Sequence, residues 1–75
     1  MDDSTRAVRA MLRSMAPVRS IPYIQSFRLP PEEELVLIRS ECQGRSLQQI
    51  AQELHLSVES VTRRRRSALR KLTKS

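Results

Sequence analysis

Basic side chains are concentrated in the C-terminal half of the chain. Residues 1–37 carry five arginines and five acidic residues, whereas residues 38–75 carry nine lysines or arginines and three acidic residues. From Arg63 onward there are seven basic residues and no acidic one. Guanidinium groups bind phosphate oxygens, and they also bind the major-groove edge of guanine. Because a solvated basic tail would have the same composition, the function depends on whether an ordered helix presents these side chains.

The composition excludes several other kinds of chemistry. The chain has 75 residues with one cysteine, one histidine and one glycine. This composition allows no internal disulfide, no zinc site with about four cysteine or histidine ligands, and no glycine-rich phosphate loop. No acid–base pair stands beside a nucleophile in a recognisable arrangement. The sequence therefore predicts neither an enzyme nor a bound cofactor or metal.

The length and net charge favour a small intracellular protein with an acidic partner. No apolar run approaches the roughly 18 residues that a membrane span requires. The formal net charge is +6, and the sequence pI is about 11.1. Small basic proteins with a reduced thiol most often bind nucleic acid. We therefore predict a cytoplasmic, nucleoid-associated protein.

Two segments precede the strongest helical signals. In residues 1–16, four apolar residues fall at the three-and-four spacing of one helical face, which predicts an amphipathic helix. They are Val8, Met11, Leu12 and Met15. Residues 17–29 contain Pro17 and Pro22 and lack a helical period, so we predict an extended connector. Its apolar side chains either lie across the domain that follows or meet a partner. They are Ile21, Tyr23, Ile24 and Phe27.

Residues 30–75 carry the signals of a helical domain. Pro30 and Pro31 suit a helix start, and three glutamates follow in the first turn, where the helix dipole favours negative charge. Gly44 stands just after the expected helix end, where a left-handed C-cap requires glycine. Cys42 is interpreted as a small core residue of this helix.

A short helix and a longer basic helix complete the chain. Ser46 and Gln49 fit a capping box, and Ser57 is the expected N-cap of a helix from Val58 to about Lys71. The three-residue turn between these helices completes a helix-turn-helix pattern. The core expected to hold the two helices together consists of Ile50, Ala51, Leu54, Leu56 and Val61. The fold class is therefore predicted to be all-α.

The exposed face of the last helix is predicted to enter the major groove of duplex DNA, which is wide enough for one helix. The predicted DNA-binding residues are Gln48, Ser57, Glu59, Ser60, Thr62, Arg63, Arg64, Arg66 and Arg70. Gln48 and Ser57 are assigned to phosphates, because each stands at the start of a helix. Glu59 is interpreted either as a ligand of a cytosine amino group or as a partner of the helix dipole.

The stretch from Leu29 to Leu72 resembles the fourth conserved region of bacterial sigma factors and, less closely, the LuxR-type DNA-binding domain. The residues that carry the resemblance are Leu29-Pro30-Pro31-Glu32, Gly44-Arg45-Ser46-Leu47-Gln48-Gln49-Ile50-Ala51, Leu54-His55-Leu56-Ser57, Val61 and Ala68-Leu69-Arg70-Lys71-Leu72. The resemblance implies a module of three or four helices that binds the upstream promoter hexamer and touches the RNA polymerase flap.

The chain departs from the family pattern at two places. His55 stands where the family usually has glycine, so the histidine is expected to adopt a left-handed conformation. The family commonly keeps an apolar residue at the position of Arg64 or Arg65. One of these two side chains is therefore expected near the inner face. There it reaches the surface along its stem or pairs with an acid of the 32–34 triplet.

The sequence leaves two functions open. The first is a DNA-binding transcription regulator of bacterial or phage origin. The alternative is an adaptor that engages RNA polymerase or another regulator through a sigma-like fold, because the apolar side chains of residues 8–27 exceed what so small a module needs. A homodimer through the N-terminal segment or the last helix is a further arrangement that small helix-turn-helix proteins use.

Overall fold

The computed structural model describes residues 3–74, and this part of the chain forms five α-helices and no strand. The helices are α1 (Asp3–Ser14), α2 (Pro17–Gln25), α3 (Pro31–Leu37), α4 (Leu47–Leu54) and α5 (Val58–Thr73). A π-helical turn, Ile38–Cys42, continues α3. The predicted all-α class is confirmed. The predicted segments also include residues 1, 2 and 75, which lie outside the described residues.

The amphipathic helix predicted at the N-terminus is α1. Its apolar face packs inward, with Leu12 fully buried and Val8 partly buried, while Met11 remains 38% exposed. The helix stops at Ser14 because Pro17 lies just beyond it, and proline disfavours a helical conformation in the residue before it.

The extended connector predicted for residues 17–29 is wrong, because residues 17–25 form α2. Pro17 occupies the first helical position, where its missing N–H costs nothing. Pro22 lies inside the helix and removes the hydrogen bond to the Val18 carbonyl. Both residues lie on the exposed side of α2, so water can bind that carbonyl. Ile24 is fully buried when α2 is helical, and burial of this side chain stabilises the helix against the cost of Pro22.

The helix that begins at Pro31 changes geometry halfway along its length. The amide of Gln43 bonds to the Ile38 carbonyl at 3.0 Å, five residues back, and this bond widens the final turn. The chain then ends the turn at Gly44, whose φ of +68° confirms the predicted left-handed cap. Within this turn Ile38, Ser40 and Glu41 are all buried.

The helix-turn-helix consists of α4, a three-residue turn and α5. Ser46 and Gln49 form the predicted capping box, with bonds of 3.1 and 3.2 Å between each side chain and the other residue's amide. His55 has a φ of +56°, which is the predicted left-handed conformation. Ser57 caps α5, because its hydroxyl accepts a bond from the Ser60 amide at 3.1 Å.

The buried residues form two clusters. The first joins α4 to α5 and to α3, and it contains the predicted core of the helix-turn-helix. Its buried members are Val36, Ile50, Ala51 and Val61, with Leu47, Leu54 and Leu56 partly buried against them. The second cluster joins α1 and α2 to α3, the π-helical turn and the C-terminal half of α5. Its buried members are Leu12, Ile24, Leu29, Leu37, Ile38, Ala68, Leu69 and Leu72.

The apolar residues of α2 and the following loop therefore lie across the domain, which was one of the two predicted outcomes. Ile21, Tyr23 and Phe27 pack against the second cluster, and the rings of Tyr23 and Phe27 meet edge to face at 5.2 Å. Cys42 also packs there and is half-buried, in agreement with its interpretation as a small core residue.

Candidate nucleic-acid interface

The two sides of α5 differ sharply in chemistry. Four apolar side chains at helical spacing face the core: Val61, Ala68, Leu69 and Leu72. On the opposite side, four charged residues are exposed at positions that lie three or four residues apart. They are Glu59, Arg63, Arg66 and Arg70, and we call them the α5 ridge. Residues at this spacing form one row along a helix.

The run of four arginines is divided between these two sides. Arg64 binds the carboxylate of Glu32 at 2.7 Å, and Arg65 points inward and meets Glu41 at 3.5 Å. Arg63 and Arg66 are exposed and make no salt bridge within 4 Å in the part of the chain that the structure describes. The expectation of one inward-facing arginine is confirmed for Arg65. Its partner is Glu41 and not an acid of the 32–34 triplet, which pairs with Arg64 instead through Glu32.

The acidic first turn of α3 explains this division. Besides the pair between Glu32 and Arg64, Glu33 binds Lys71 at 2.9 Å. Lys71 lies about two helical turns further along α5 than Arg64. These contacts neutralise the side of α5 that faces α3. The positive charge that remains unpaired among residues 58–73 therefore lies on the α5 ridge, as three arginines with one acid at its beginning.

A buried carboxylate lies behind the ridge. The side chain of Glu41 is fully buried, and its two oxygens accept bonds from Arg9 and Arg13 of α1, both at 2.9 Å. Arg65 of α5 is the third arginine around it. We call these four residues the Glu41 cluster. It connects α1, the π-helical turn and α5 through a single side chain.

The environment of Arg65 in this cluster is electrostatically unfavourable. Desolvation lowers the pKa of Arg65, and the positive charges of Arg9 and Arg13 lower it further, while Glu41 acts in the opposite direction. The Nε of Arg65 is buried and has no hydrogen-bond partner. Arg65 is therefore committed to the inside of the fold and is not available to a ligand.

Sequence reasoning missed the Glu41 cluster. Arg9 and Arg13 lie four residues apart beside the apolar face of α1, which is a signal for two cations on one face. Glu41 follows Leu37 by four residues and Ile38 by three, which places it on the apolar side of this helix, but a carboxylate is rarely buried and was not assigned to the core. The π-helical turn itself was not predicted, because no residue type in it indicates the extra width.

The predicted phosphate contacts lie at the starts of α4 and α5. Gln48 is exposed in the first turn of α4. Ser57 is exposed, and its hydroxyl both caps the Ser60 amide and donates a bond to the Ser60 hydroxyl at 3.0 Å. Ser60 is half-buried beside it. Ser57 and Ser60 therefore lie at the N-terminus of α5, and Gln48 lies at that of α4. The unpaired amides of a helix N-terminus attract anions.

The first two turns of α5 also form a shallow concavity. Its lining residues are Val58, Glu59, Thr62, Arg63 and Arg66. The hydroxyl of Thr62 donates a bond to the Val58 carbonyl at 2.9 Å, so its polar atom is used within the helix. Val58 is 46% exposed although it is apolar. The concavity therefore combines two cations, one acid and an apolar side chain.

A separate charge cluster lies on the outer side of α4. Glu53 accepts bonds from both Arg39 and Arg45. Desolvation raises the pKa of the Glu53 carboxyl, but the hydrogen bonds and positive charges of Arg39 and Arg45 outweigh it and hold the pKa below its ordinary value of 4.5. This cluster fastens α4 to the π-helical turn and contains none of the predicted DNA-binding residues.

The fold and the exposed ridge define a helix-turn-helix domain of the DNA-binding type. Residues 27–74 match the family described as sigma-70, region 4, and the chain belongs to that family. The match starts after α2, so α1 and α2 lie outside it. No curated protein matches the chain. No solved structure matches it.

The family is one of DNA-binding domains rather than of enzymes, and its members bind DNA and the RNA polymerase core. In residues 3–74 no group of three or more His, Cys, Asp or Glu side chains is arranged to hold a metal ion. Within the same residues, no helix has the length and apolar character needed to cross a bilayer.

Proposed function

We propose that this protein is a transcription regulator that reads duplex DNA by inserting α5 into the major groove. The observation that carries the proposal is the distribution of charge on α5. Acidic residues neutralise Arg64, Arg65 and Lys71, whereas Arg63, Arg66 and Arg70 lie unpaired in one exposed row. A row of unpaired arginines on one face of a helix matches the guanine edges and phosphates of a single groove.

Each predicted contact has a role in this arrangement. Arg63 and Arg66 would reach base edges, because both line the concavity on the N-terminal part of α5. Arg70 would meet the phosphate backbone further along. Gln48, Ser57 and Ser60 surround helix N-termini and would bind phosphates. Glu59 would accept a bond from a cytosine amino group, since no arginine of the ridge forms a salt bridge with it.

The contribution of Arg64 is expected to be smaller than that of the ridge. Its guanidinium is bound to Glu32, so a DNA phosphate would have to compete with an existing salt bridge. We therefore place Arg64 at the edge of the interface.

The proposal is tested by substitution of the ridge arginines in the full chain. Replacing Arg63 or Arg66 with Ala should weaken binding to a selected duplex by about 1–3 kcal/mol and relax the preference at one base pair. Arg19→Ala is the matched control, because Arg19 is an exposed arginine on α2, away from α5. Equal losses for Arg19→Ala and for both ridge variants, measured by fluorescence anisotropy, would contradict base reading by the ridge.

The RNA polymerase core is proposed as a protein partner, because members of the family bind it. The adaptor alternative was based on the many apolar residues of the N-terminal segment. Leu12 and Ile24 are buried in this protein's own core, and Met11 and Val18 remain exposed. Polymerase capture by an Arg63→Ala/Arg66→Ala double variant that no longer binds DNA would favour the adaptor.

A homodimer is not proposed. The two segments considered for it already pack within the chain: Leu12 of α1 and Leu69 and Leu72 of α5 are buried in the same cluster. Binding of DNA would place the protein in the cytoplasm, in the nucleoid.

A further inference from the structure

The DNA-facing side of α5 begins with an apolar side chain. Val58 is the first residue of the helix, and 46% of its surface is exposed. It belongs to neither of the two buried clusters. Nearly half of this apolar residue is therefore open to a ligand at the start of a helix whose outer row is charged.

Thr62 adds a second apolar group beside Val58. The two residues lie one helical turn apart, so their side chains are neighbours on the surface. Because the Thr62 hydroxyl donates to the Val58 carbonyl at 2.9 Å, its methyl group is left for contact with a ligand. Both residues line the same shallow concavity, between Glu59 and the guanidinium groups of Arg63 and Arg66.

We infer that Val58 and Thr62 form a methyl-binding notch that reads thymine in the major groove. The inference rests on the proposed function, because it requires α5 to lie in that groove. The C5-methyl group is the apolar feature that distinguishes thymine on the major-groove edge, and apolar side chains recognise it by contact. The charged residues around the notch would bind the amino and carbonyl groups of neighbouring base pairs.

The notch specifies more than the presence of a thymine. Glu59 and Arg63 border it closely, and their natural ligands are the amino group of cytosine and the O6/N7 edge of guanine. The thymine should therefore stand next to a C·G pair in the preferred duplex. A site made only of A·T pairs would offer Arg63 no guanine O6/N7 edge to bind.

The test begins with duplexes selected by the full chain from a random library. Each thymine of the enriched duplex is then replaced, one at a time, by deoxyuridine, which removes only the C5-methyl group. At one thymine we expect affinity to fall about fourfold, the effect of leaving one methyl group unburied. At the other thymines we expect no change.

Two variants connect this effect to the notch. Thr62→Ser keeps the hydroxyl that bonds to the Val58 carbonyl and removes only the methyl group, and Val58→Ala shortens the other wall. Both should bring the thymine-to-deoxyuridine affinity ratio at that position close to one. Val18→Ala is the control, because Val18 is an 80% exposed valine on α2, and this variant should keep the full ratio.

The outcomes separate the inference from the function on which it rests. If the protein binds duplex DNA but its affinity is unchanged by deoxyuridine at every thymine position, the inference of a methyl-binding notch is wrong. The proposed function would still stand. A ratio that neither Thr62→Ser nor Val58→Ala changes also overturns the notch. The absence of any enriched duplex at low salt overturns the proposed function, and the inference with it.

Discussion

Glu41 is the most deeply buried acidic residue in the described part of the chain. Its side chain is fully buried, and its charge is balanced by Arg9, Arg13 and Arg65. Burial of a carboxylate destabilises a fold unless charged donors surround it. Removal of one partner leaves the remaining buried charges without compensation. The cluster therefore behaves as one unit that holds α1 against the end of α3 and the middle of α5.

Replacing Glu41 with Gln should lower the free energy of unfolding by about 1–3 kcal/mol, because three arginines lose their common counter-charge. The loss stays below that of a completely enclosed ion pair, since the side chain of Arg13 is 58% exposed and can be hydrated. Urea unfolding monitored by circular dichroism measures the change.

Glu53→Gln is the matched control for this substitution. Glu53 also binds two arginines, but it is exposed, and exposed ion pairs contribute little. A loss of stability at Glu53 equal to the loss at Glu41 would show that burial of the Glu41 cluster does not determine its strength.

At the scale of the elements, the turn between α4 and α5 sets the angle at which α5 is presented. His55 adopts a left-handed conformation with a φ of +56°, which is costly for a residue with a Cβ atom. The Leu56 amide bonds back to the Ala51 carbonyl at 2.9 Å and closes the turn. Leu56 then packs against the cluster formed by Val36, Ile50 and Val61.

His55→Gly should raise the free energy of unfolding by about 0.5–1 kcal/mol. The relief of left-handed strain exceeds the entropy that glycine adds to the unfolded chain. Thermal unfolding at neutral pH measures the change.

His55→Ala removes the same imidazole but keeps the Cβ atom, so it should give no gain in stability. A gain for alanine equal to that for glycine would assign the effect to the imidazole instead of the backbone.

For the whole molecule, the distribution of charge matters more than its total. Acidic residues of α3 and the π-helical turn form salt bridges with three of the six basic residues of α5. The three arginines without a salt bridge among the described residues lie on one face of the helix. This face is one side of a molecule whose described residues measure 28 × 26 × 20 Å. The apolar residues Met11 and Val18 are exposed on α1 and α2, outside the helix-turn-helix.

The salt dependence of DNA binding should therefore follow the free cations. Arg70→Ala should make the slope of log K against log salt less negative by about 0.9, the value for one phosphate contact, and should weaken all duplexes alike. Titrations of one selected duplex at several salt concentrations give the slope.

Arg64→Ala is the control for this prediction, because Arg64 is already paired with Glu32. It removes the same formal charge and should change the slope less than Arg70→Ala. Equal changes in slope would mean that the salt bridges of α3 do not neutralise α5 toward DNA.

The helix-turn-helix was predictable from the sequence because its signals are local. The capping box of Ser46 and Gln49, the N-cap Ser57 and the cap at Gly44 each act within a few residues of their own position. The apolar period of α5 likewise indicated its inner face, and with it the exposed positions of Arg63, Arg66 and Arg70. The same period predicted Val58 on the inner face, and this was wrong, because Val58 is 46% exposed. The family membership depends on the same stretch of the chain.

Only the tertiary structure decided the state of α2 and the partners of the arginines. Two prolines argue against a helix at residues 17–25, but burial of Ile24 between distant elements outweighs that local preference. Glu41 lies 32 residues from Arg9 and 24 from Arg65, so no local pattern could pair them. The sequence by itself determined that the chain carries an arginine-rich helix within a helix-turn-helix domain. The packing of α1 and α3 against that helix determined which arginines remain free, because salt bridges depend on distances in space that no local pattern encodes.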